Sequence, residues 1–235
     1  MKILLITDQH FGVRNDNVHF INHYRKFYSQ IVIPFIKASK IDTVINLGDT
    51  FDKRRSINYL SLNEAKQMWF DPLAELGVQM HMLVGNHDIY YKNTLRVNAP
   101  KEILSSYDNI ISYDSPCTVN FDGLDICFIP WICDDNYDKT LLTITQTEAT
   151  IAMGHLELNG FEAHPGHYME NGMQQTKIQY ITKQSTTKKA SQKFFKMQLL
   201  EKLRSGTGSL FSLQLITMTI HKLIFHIWIN LTEYM

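Results

Sequence analysis

Four short segments of this chain carry side chains of the types that bind metal ions. They are Asp8-Gln9-His10, Gly48-Asp49-Thr50-Phe51-Asp52, Gly85-Asn86-His87-Asp88 and Gly154-His155. Carboxylates, imidazoles and an amide carbonyl form a mixed oxygen and nitrogen donor set without thiolate, which suits Mn²⁺, Fe²⁺ or Zn²⁺ better than a structural zinc cage. A carboxylate such as Asp49 can bridge two cations, and a cation pair can stabilise both the attacking and the leaving oxygen of a displacement at phosphorus. The donor types therefore predict metal-assisted hydrolysis of a phosphate ester.

Three of the four segments begin where a short apolar run ends. The runs at residues 3–7, 43–47 and 80–84 are rich in Ile, Val, Leu or Met, as is typical of strands covered on both faces. Loops at the carboxyl ends of strands in an open α/β sheet meet in one crevice, so residues far apart in sequence can come together there. We expect the four segments to build a single site.

The remaining pattern predicts the order β-α-β-α-β, then an antiparallel section, then a helix and a strand. Residues 19–39 and, less regularly, 61–76 carry apolar side chains at helical spacing and should cover the sheet. Asp122-Gly123 predicts a hairpin between residues 118–121 and 124–129, because both residues tolerate positive φ. A strand at 150–153 would bring His155 to the site. The large aromatic side chains are predicted to be core residues, among them Trp69, Phe70 and Trp131.

The order of the four segments resembles the signature of the calcineurin-like metallophosphoesterases: Asp-x-His, Gly-Asp-x-x-Asp, Gly-Asn-His-Asp and Gly-His. Within that family the chain resembles the SbcD-type DNA repair nucleases, and particularly the recombination nuclease subunit of tailed phages. The similarity is carried by residues 7–12, 48–54, 85–94, 129–132 and 154–157, and it covers residues 1–174. It implies an α/β metallophosphoesterase fold, in which central mixed β-sheets form a sandwich flanked by helices, followed by an irregular C-terminal segment.

The resemblance also implies which residues hold two metal ions. Asp8 and His10 would bind one ion. Asp49 would bridge the two ions, and Asn86 and His155 would bind the other. The expected metal is Mn²⁺, with Mg²⁺, Fe²⁺ or Zn²⁺ as alternatives.

The same resemblance implies a catalytic role for His87, which would protonate the leaving oxygen or stabilise the pentavalent phosphate. An imidazole titrates near pH 6.5, so it can donate or accept a proton at neutral pH. Asp88 and Asp52 are expected to support the site without binding metal. Asp88 could orient the ring of a metal-site histidine, or it could cap the segment that follows it.

The function implied is phosphodiester hydrolysis of DNA by the nuclease subunit of a recombination and repair complex. The implied partners are DNA, an SbcC-type SMC-like ATPase subunit and a second copy of the nuclease. Two alternatives stay open. One is a small-molecule or cyclic-nucleotide phosphodiesterase of the same superfamily, and the other is an inactive product that binds metal or DNA weakly.

Composition predicts a soluble cytoplasmic enzyme, in the host cytoplasm if the gene belongs to a phage, with no membrane association. The 235 residues are 44% hydrophobic and 20% charged, which is ordinary for one catalytic domain. The residues before Asp8 are too few for a signal peptide. Three cysteines without zinc-ligand spacing favour reduced thiols.

The character of the chain changes after residue 174. Residues 1–175 contain 14 Lys and Arg against 21 Asp and Glu, a net charge of −7, whereas residues 176–235 contain 9 against 2, a net charge of +7. The later part also lacks Asp, Pro, Val and Cys. The Gly-His-x-His that the family places here, with one ligand for each metal, is absent. His164, His167, His221 and His226 are the possible substitutes, and none has the expected spacing.

These observations divide the chain into a nuclease domain at 1–174, incomplete at its C-terminal side, and a tail at 175–235. The tail could be a basic DNA-facing element or a solvated segment. A membrane span at 210–231 is disfavoured because Lys222 and two histidines interrupt it. The interpretation favoured by the lost motif and the abrupt change in composition is a reading frame shifted near residue 175.

Overall fold

The computed structural model describes residues 1–149 and 151–159, together with short strands at 162–164, 167–168, 173–174, 193–194, 216–220 and 223–227. Side chains are described as far as residue 157. The strands are β1 Lys2–Ile6, β2 Thr43–Asn46, β3 Gln79–Leu83, β4 Ile110–Tyr113, β5 Cys117–Phe121, β6 Leu124–Ile129, β7 Ile151–Gly154, β8 Leu158–Asn159, β9 Glu162–His164, β10 His167–Tyr168, β11 Met173–Gln174, β12 Lys193–Phe194, β13 Ile216–Ile220 and β14 Leu223–Ile227. The helices are α1 Val13–Asp16, α2 Val18–Phe27, α3 Ile33–Ser39, α4 Tyr59–Ala65, α5 Asp71–Glu75, α6 Ala99–Ile103 and α7 Tyr137–Gln146, and two π-helical turns lie at Tyr28–Val32 and Lys66–Phe70.

A six-stranded sheet in the order β13-β14-β1-β2-β3-β4 carries the first three metal-binding segments. The strands from β14 to β4 run parallel, and β13 pairs with β14 antiparallel. Because β1, β2 and β3 are neighbours with the same direction, the loops that follow them leave the same edge of the sheet. This topology places Asp8, Asp49 and Asn86 side by side.

Alternate side chains of the six-stranded sheet enter two different cores, as the two-residue period of a strand requires. Leu4, Val44 and Met80 face the helices, where they join a core that includes Trp69 and Phe70. Ile3, Ile45 and Leu83 face the opposite way and pack against a second sheet. Both faces of this sheet are therefore covered, which explains why its strands read as continuous apolar runs.

The second sheet has the order β12-β7-β6-β5, and its apolar inner face completes the sandwich. Phe121, Ile126, Phe128 and Met153 pack there against the first sheet. Its outer face, represented by Cys127 and Ile129, is covered by Ile144 of α7. The result is a helix, sheet, sheet, helix arrangement, so the predicted mixed-sheet sandwich flanked by helices is confirmed.

The two predicted helices are confirmed, and each contains a π-helical turn. The first runs through α2, the turn at Tyr28–Val32 and α3, and it ends at Lys40, whose φ of 52° is left-handed. The second runs through α4, the turn at Lys66–Phe70 and α5. In both cases a proline, Pro34 or Pro72, lies two residues after the π-helical turn, inside the continuous helix, so the helical hydrogen-bond pattern continues past a residue that has no N–H to donate.

The predicted hairpin is also confirmed. Strands β5 and β6 pair antiparallel around Asp122 and Gly123, whose φ values are 53° and 88°. The predicted strand at 150–153 is found as β7, one residue later in the chain. Trp69 and Phe70 are fully buried as predicted, whereas Trp131 is only half-buried.

The described parts of the tail are the strands β12, β13 and β14, and β14 pairs with β1 at the edge of the sheet. The remaining residues after 174 lie outside the described part of the chain. The side chains of His164, His167, His221 and His226 lie outside it as well, so the missing-ligand hypothesis stays a prediction. Among the described residues, none of the helices has both the length and the apolarity that a membrane crossing requires.

Candidate metal centre

The loops after β1 and β2 are tied to each other by backbone hydrogen bonds. The amide groups of Asp8 and His10 donate to the carbonyl oxygens of Gly48 and Asp49, at 3.0 Å in each case. Asp8, His10 and Asp49 all have positive φ, at 51°, 43° and 53°. Left-handed backbone is uncommon for residues with side chains and is held only where surrounding contacts enforce it. The paired loops thus fix all three side chains at the sheet edge.

A buried polar layer supports these loops from below. Gln9, fully buried between two candidate ligands, accepts a 2.8 Å hydrogen bond from the Asn46 amide and donates one of 2.5 Å to the Tyr28 hydroxyl. The same amide of Asn46 donates to the Thr50 hydroxyl, and its carbonyl oxygen accepts from the Gly48 backbone. The buried polar atoms of this layer have hydrogen-bond partners, so their burial avoids the free-energy cost of an unpaired polar group. The layer links β1, β2 and the first long helix beneath the site.

Asp49 lies at the centre of the arrangement and is almost completely buried. One carboxylate oxygen, Oδ2, lies 3.7 Å from Nε2 of His10, and the other, Oδ1, lies 3.4 Å from Nε2 of His155. Oδ1 also accepts a 2.8 Å hydrogen bond from the backbone N–H of His87. The two oxygens therefore face different histidines, as a bridging carboxylate must.

Gly85 allows the third loop to approach Asp49 closely. A Cβ atom at Gly85 would lie 2.3 Å from both the backbone nitrogen and Oδ1 of Asp49, and one at Gly48 would lie 2.7 Å from Nδ1 of His155. No real side chain tolerates such distances. The glycines that precede the candidate ligands Asp49 and Asn86 are thus required by the packing of the site.

His155 places a ring nitrogen against two oxygen atoms. Its Nδ1–H donates to the carbonyl oxygen of Leu47 at 2.9 Å, which leaves Nε2 with a lone pair in the neutral ring. That Nε2 lies 2.8 Å from Oδ1 of Asn86 and 3.4 Å from the carboxylate of Asp49. A lone pair facing two oxygens is repulsive unless a proton or a metal ion lies between them.

The pKa values of the neighbouring groups follow from this crowding. Burial alone would lower the pKa of His155, but the hydrogen bond and the negative charge of Asp49 outweigh it and raise that pKa to about 9. For Asp49, burial acts to raise the pKa, yet His155 and the backbone of His87 bring it down to about 2. Asp88 has its pKa raised to about 6 by burial and by the charge of Asp49, against the effect of its backbone hydrogen bonds. Of the two buried aspartates, Asp49 therefore keeps its negative charge to the lower pH.

Two groups of donor atoms share Asp49. In one, atoms of His10, Asp49 and His87 lie within 4.8 Å of one another, and in the other, atoms of Asp8, Asp49 and His155 do so. His10 also lies 3.9 Å from Asp8 through Nε2. The donor set of carboxylates, imidazoles and the Asn86 carbonyl fits divalent cations.

His87 is held at the edge of this cluster by the backbone. Its Nδ1–H donates to the carbonyl oxygen of Asp52 at 2.6 Å, and its ring meets that of His10 edge to face at 4.9 Å. Nε2 of His87 is then the free ring nitrogen, pointing away from the Asp52 carbonyl. The ring is thus held in one tautomer, with Nε2 available to a ligand at the metal centre.

Asp88 acts on the backbone of two loops. Its carboxylate accepts hydrogen bonds from the N–H groups of Gly85, Thr50 and Phe51, at 3.0, 3.0 and 3.2 Å. The group that orients the ring of His87 is the Asp52 carbonyl. Asp88 therefore joins the loop after β2 to the loop after β3, a role that the sequence analysis did not anticipate.

The structure brings together all eight residues expected at the site, which are Asp8, His10, Asp49, Asp52, Asn86, His87, Asp88 and His155. Sequence reasoning missed Gln9 and Asn46, whose polar side chains hold the loops from inside the core. No local pattern identifies Gln9, because Asp8 and His10 on either side of it have left-handed backbone and the strand ends at Ile6.

Comparison with known proteins agrees with this geometry. The family model of the calcineurin-like phosphoesterases matches residues 1–181, and the chain belongs to that family. It is thus a member of a family of enzymes that hydrolyse phosphate esters, with a fold that binds divalent metal ions.

The chain is similar to exonuclease subunit 1 of Enterobacteria phage T4, with 39% identity over 166 residues. The match covers 71% of this chain and 48% of the phage protein, so the chain spans about half the length of that relative. A solved structure of a protein of unknown function from Aquifex aeolicus is 16% identical, with a TM-score of 0.37 over 70% of this chain and 82% of that one. A score of that size informs neither the fold nor the site.

Proposed function

We propose that this protein is a two-metal phosphodiesterase that cleaves DNA and serves as the nuclease subunit of a recombination and repair complex. The observation that carries the proposal is the position of Asp49, whose two carboxylate oxygens face His10 on one side and His155 on the other. Shared use of Asp49 by two donor groups is what a metal pair needs.

In this proposal Asp8 and His10 would hold one ion, Asn86 and His155 would hold the other, and Asp49 would bridge them. The distances of 3.9 Å from His10 Nε2 to Asp8 and 2.8 Å from His155 Nε2 to Asn86 favour this division, whereas the compact donor groups place Asp8 with His155 and His10 with His87. When bound, the ion pair would activate water and neutralise charge on the phosphate. Mn²⁺ is the proposed metal, because oxygen donors with a minority of imidazoles favour it over softer ions.

His87 is proposed to protonate the leaving oxygen. The Asp52 carbonyl holds the proton on Nδ1, so the proton to be delivered is the one on Nε2 of the doubly protonated ring. After the transfer the neutral ring keeps its hydrogen bond to Asp52 and needs no rearrangement. Asp88 would act as a positioning residue, since it fixes the backbone on both sides of the cluster.

DNA as the substrate is supported by the name of the phage relative, exonuclease subunit 1, which also indicates that the relative works within a complex. We propose an SbcC-type SMC-like ATPase as the partner and a homodimer as the assembly. The division into a nuclease domain at 1–174 and a tail at 175–235 remains part of the proposal; the family match extends to residue 181, and strands of the tail pair with β1 and β7.

A comparison of substrates tests the proposal. With Mn²⁺ present, the chain should release nucleotides or fragments from DNA at least about tenfold faster, in kcat/KM, than it hydrolyses 2′,3′-cyclic or 3′,5′-cyclic nucleotides. The measurement is product formation at matched phosphodiester concentration. Faster hydrolysis of the cyclic nucleotides would replace the proposal with the small-molecule phosphodiesterase.

Metal binding should strengthen as the pH rises. The pKa of His155 is raised to about 9, and a metal ion must displace the proton from this ring before it can bind. Between pH 7 and pH 8.5, both below that pKa, the apparent affinity for the Mn²⁺ ion that His155 would hold should therefore increase about tenfold per pH unit, with one proton released from His155 as that ion binds. Calorimetric titration in two buffers of different ionisation enthalpy measures the affinity and the proton count. If Mn²⁺ affinity did not change with pH, His155 would not be a metal ligand. The variant His155→Asn should bind Mn²⁺ more weakly than the unaltered chain, and its affinity should depend less on pH.

A further inference from the structure

A pocket of about 250 Å³ lies beside the metal centre and has no part in the chemistry described above. Its walls are the segment that follows Asp52 and the start of α6, and its apolar lining includes Phe51, Ile57, Val97 and Ala99. The pocket shares Asp88 with the site, and His87 is bonded to the Asp52 carbonyl where one wall begins. A group seated here would therefore lie next to a phosphate held at the metals.

The rim of this pocket is cationic and aromatic. Lys53, Arg54 and Arg55 line it, and the guanidinium of Arg55 lies over the ring of Tyr90 at 5.3 Å from the centroid. Tyr90 is 39% exposed although an apolar wall lies next to it. Such a rim attracts a phosphodiester chain, because phosphate contacts by Lys and Arg provide most of the sequence-independent affinity for nucleic acid.

The interior suits a flat heterocycle. Sites for drug-sized ligands enclose about 300–1,000 Å³, so a pocket of about 250 Å³ fits a single ring system better than a peptide or a helix. Glu102 is an exposed carboxylate in the lining and can accept a hydrogen bond from the amino group of cytosine or adenine. Asp88 cannot serve this purpose, since backbone amides occupy its oxygens.

We propose that this pocket, termed the base pocket, binds an unpaired nucleobase of the DNA strand that is being cut. The inference rests on the proposed nuclease function and adds a substrate class to it, namely strands with an unpaired nucleotide beside the scissile phosphate. A base inside a duplex is stacked and paired and would have to be extruded at an energetic cost before it could enter. Frayed ends and single strands avoid that cost.

The test measures binding, so that it does not depend on turnover. The probes are seven-nucleotide single strands with phosphorothioate linkages, which resist hydrolysis, each carrying one abasic nucleotide at a different position, and affinity is read by fluorescence anisotropy. Base stacking on aromatic side chains is worth about 5–150-fold in affinity per base. With the unaltered chain, loss of the base at one position should weaken binding by a factor in that range, and loss at other positions should have little effect.

Two variants connect the effect to the pocket. Ala99→Leu fills the interior without adding a ring or a charge, and Tyr90→Ala removes the aromatic rim, so each should erase the difference between the intact and the abasic strand. Tyr59→Ala removes a tyrosine that is 87% exposed and does not line the pocket, and it should retain the difference. The base-pocket proposal would be wrong if no abasic position weakened binding to the unaltered chain. It would also be wrong if the loss of affinity at one abasic position persisted in both pocket variants.

Cleavage of ordinary DNA is measured in parallel and separates the two proposals. If the chain cleaves DNA but no single missing base weakens binding, the nuclease proposal stands and the base-pocket proposal is wrong. If one missing base weakens binding, the pocket variants abolish that effect and no DNA is cleaved, the base pocket stands as a nucleic-acid binding site. The proposed nuclease activity of this chain is then wrong.

Discussion

Replacement of Asp49 by alanine is expected to weaken Mn²⁺ binding by at least about 100-fold and to abolish hydrolysis. Loss of a residue that merely orients a ligand already costs about 10–100-fold in metal affinity, and Asp49 is placed to bind both ions directly. The substitution also leaves His155 and His10 facing each other without the buried negative charge between them. Isothermal titration with Mn²⁺ measures the loss.

The matched control for this substitution is Asp125→Ala. Asp125 is an exposed aspartate on β6, outside both donor groups, and its loss should leave Mn²⁺ affinity within about twofold. Thermal unfolding of both variants in the absence of metal shows whether Asp49→Ala is folded. A folded Asp49→Ala protein that binds Mn²⁺ as tightly as the unaltered chain would rule out a bridging role.

Replacement of His87 by alanine should separate chemistry from metal binding. General acid–base assistance is typically worth about 10²–10⁴-fold, so kcat for DNA cleavage should fall by a factor in that range. Mn²⁺ affinity should change by less than about tenfold, because the residues proposed to hold the ions remain. The acidic limb of the pH–rate profile should change as well, since the group that delivers the proton is gone.

His19→Ala is the control for the loss of an imidazole, because His19 is exposed on α2 and lies outside both donor groups. It should cleave DNA at the unaltered rate. If His87→Ala bound Mn²⁺ at least about 100-fold more weakly, His87 would be a metal ligand, an outcome compatible with its place beside His10 and Asp49. A normal cleavage rate in His87→Ala would remove it from the reaction.

The sequence predicted the sheet that positions the site because its physical signals are local. Short apolar runs ending in Asp8, Gly48 and Gly85 identify strands covered on both faces, and strands of one direction place their following loops at one edge. The hairpin at Asp122-Gly123 follows from the backbone freedom of those two residues. Each of these features depends on a few adjacent residues.

Other features depend on contacts between distant residues and could not be predicted in the same way. Asn46 lies within an apolar run, and only the packing of β1 against β2 shows that it supports the Gln9 side chain. Asp88 was expected to orient a ring or cap a segment, yet its carboxylate accepts hydrogen bonds from the backbone of Thr50 and Phe51, which lie 38 and 37 residues away in the loop after β2. The pairing of Ile110–Tyr113 with β3 was also not predicted, since this strand is only half covered and lacks a continuous apolar run.

The most direct test of the central claim is the number of Mn²⁺ ions bound by the unaltered chain at saturation, measured by titration and by elemental analysis after removal of free metal. We expect two ions per chain, with Asp49→Ala retaining neither. A chain that binds one ion or none, while remaining folded, would contradict a two-metal centre and would support the inactive product instead.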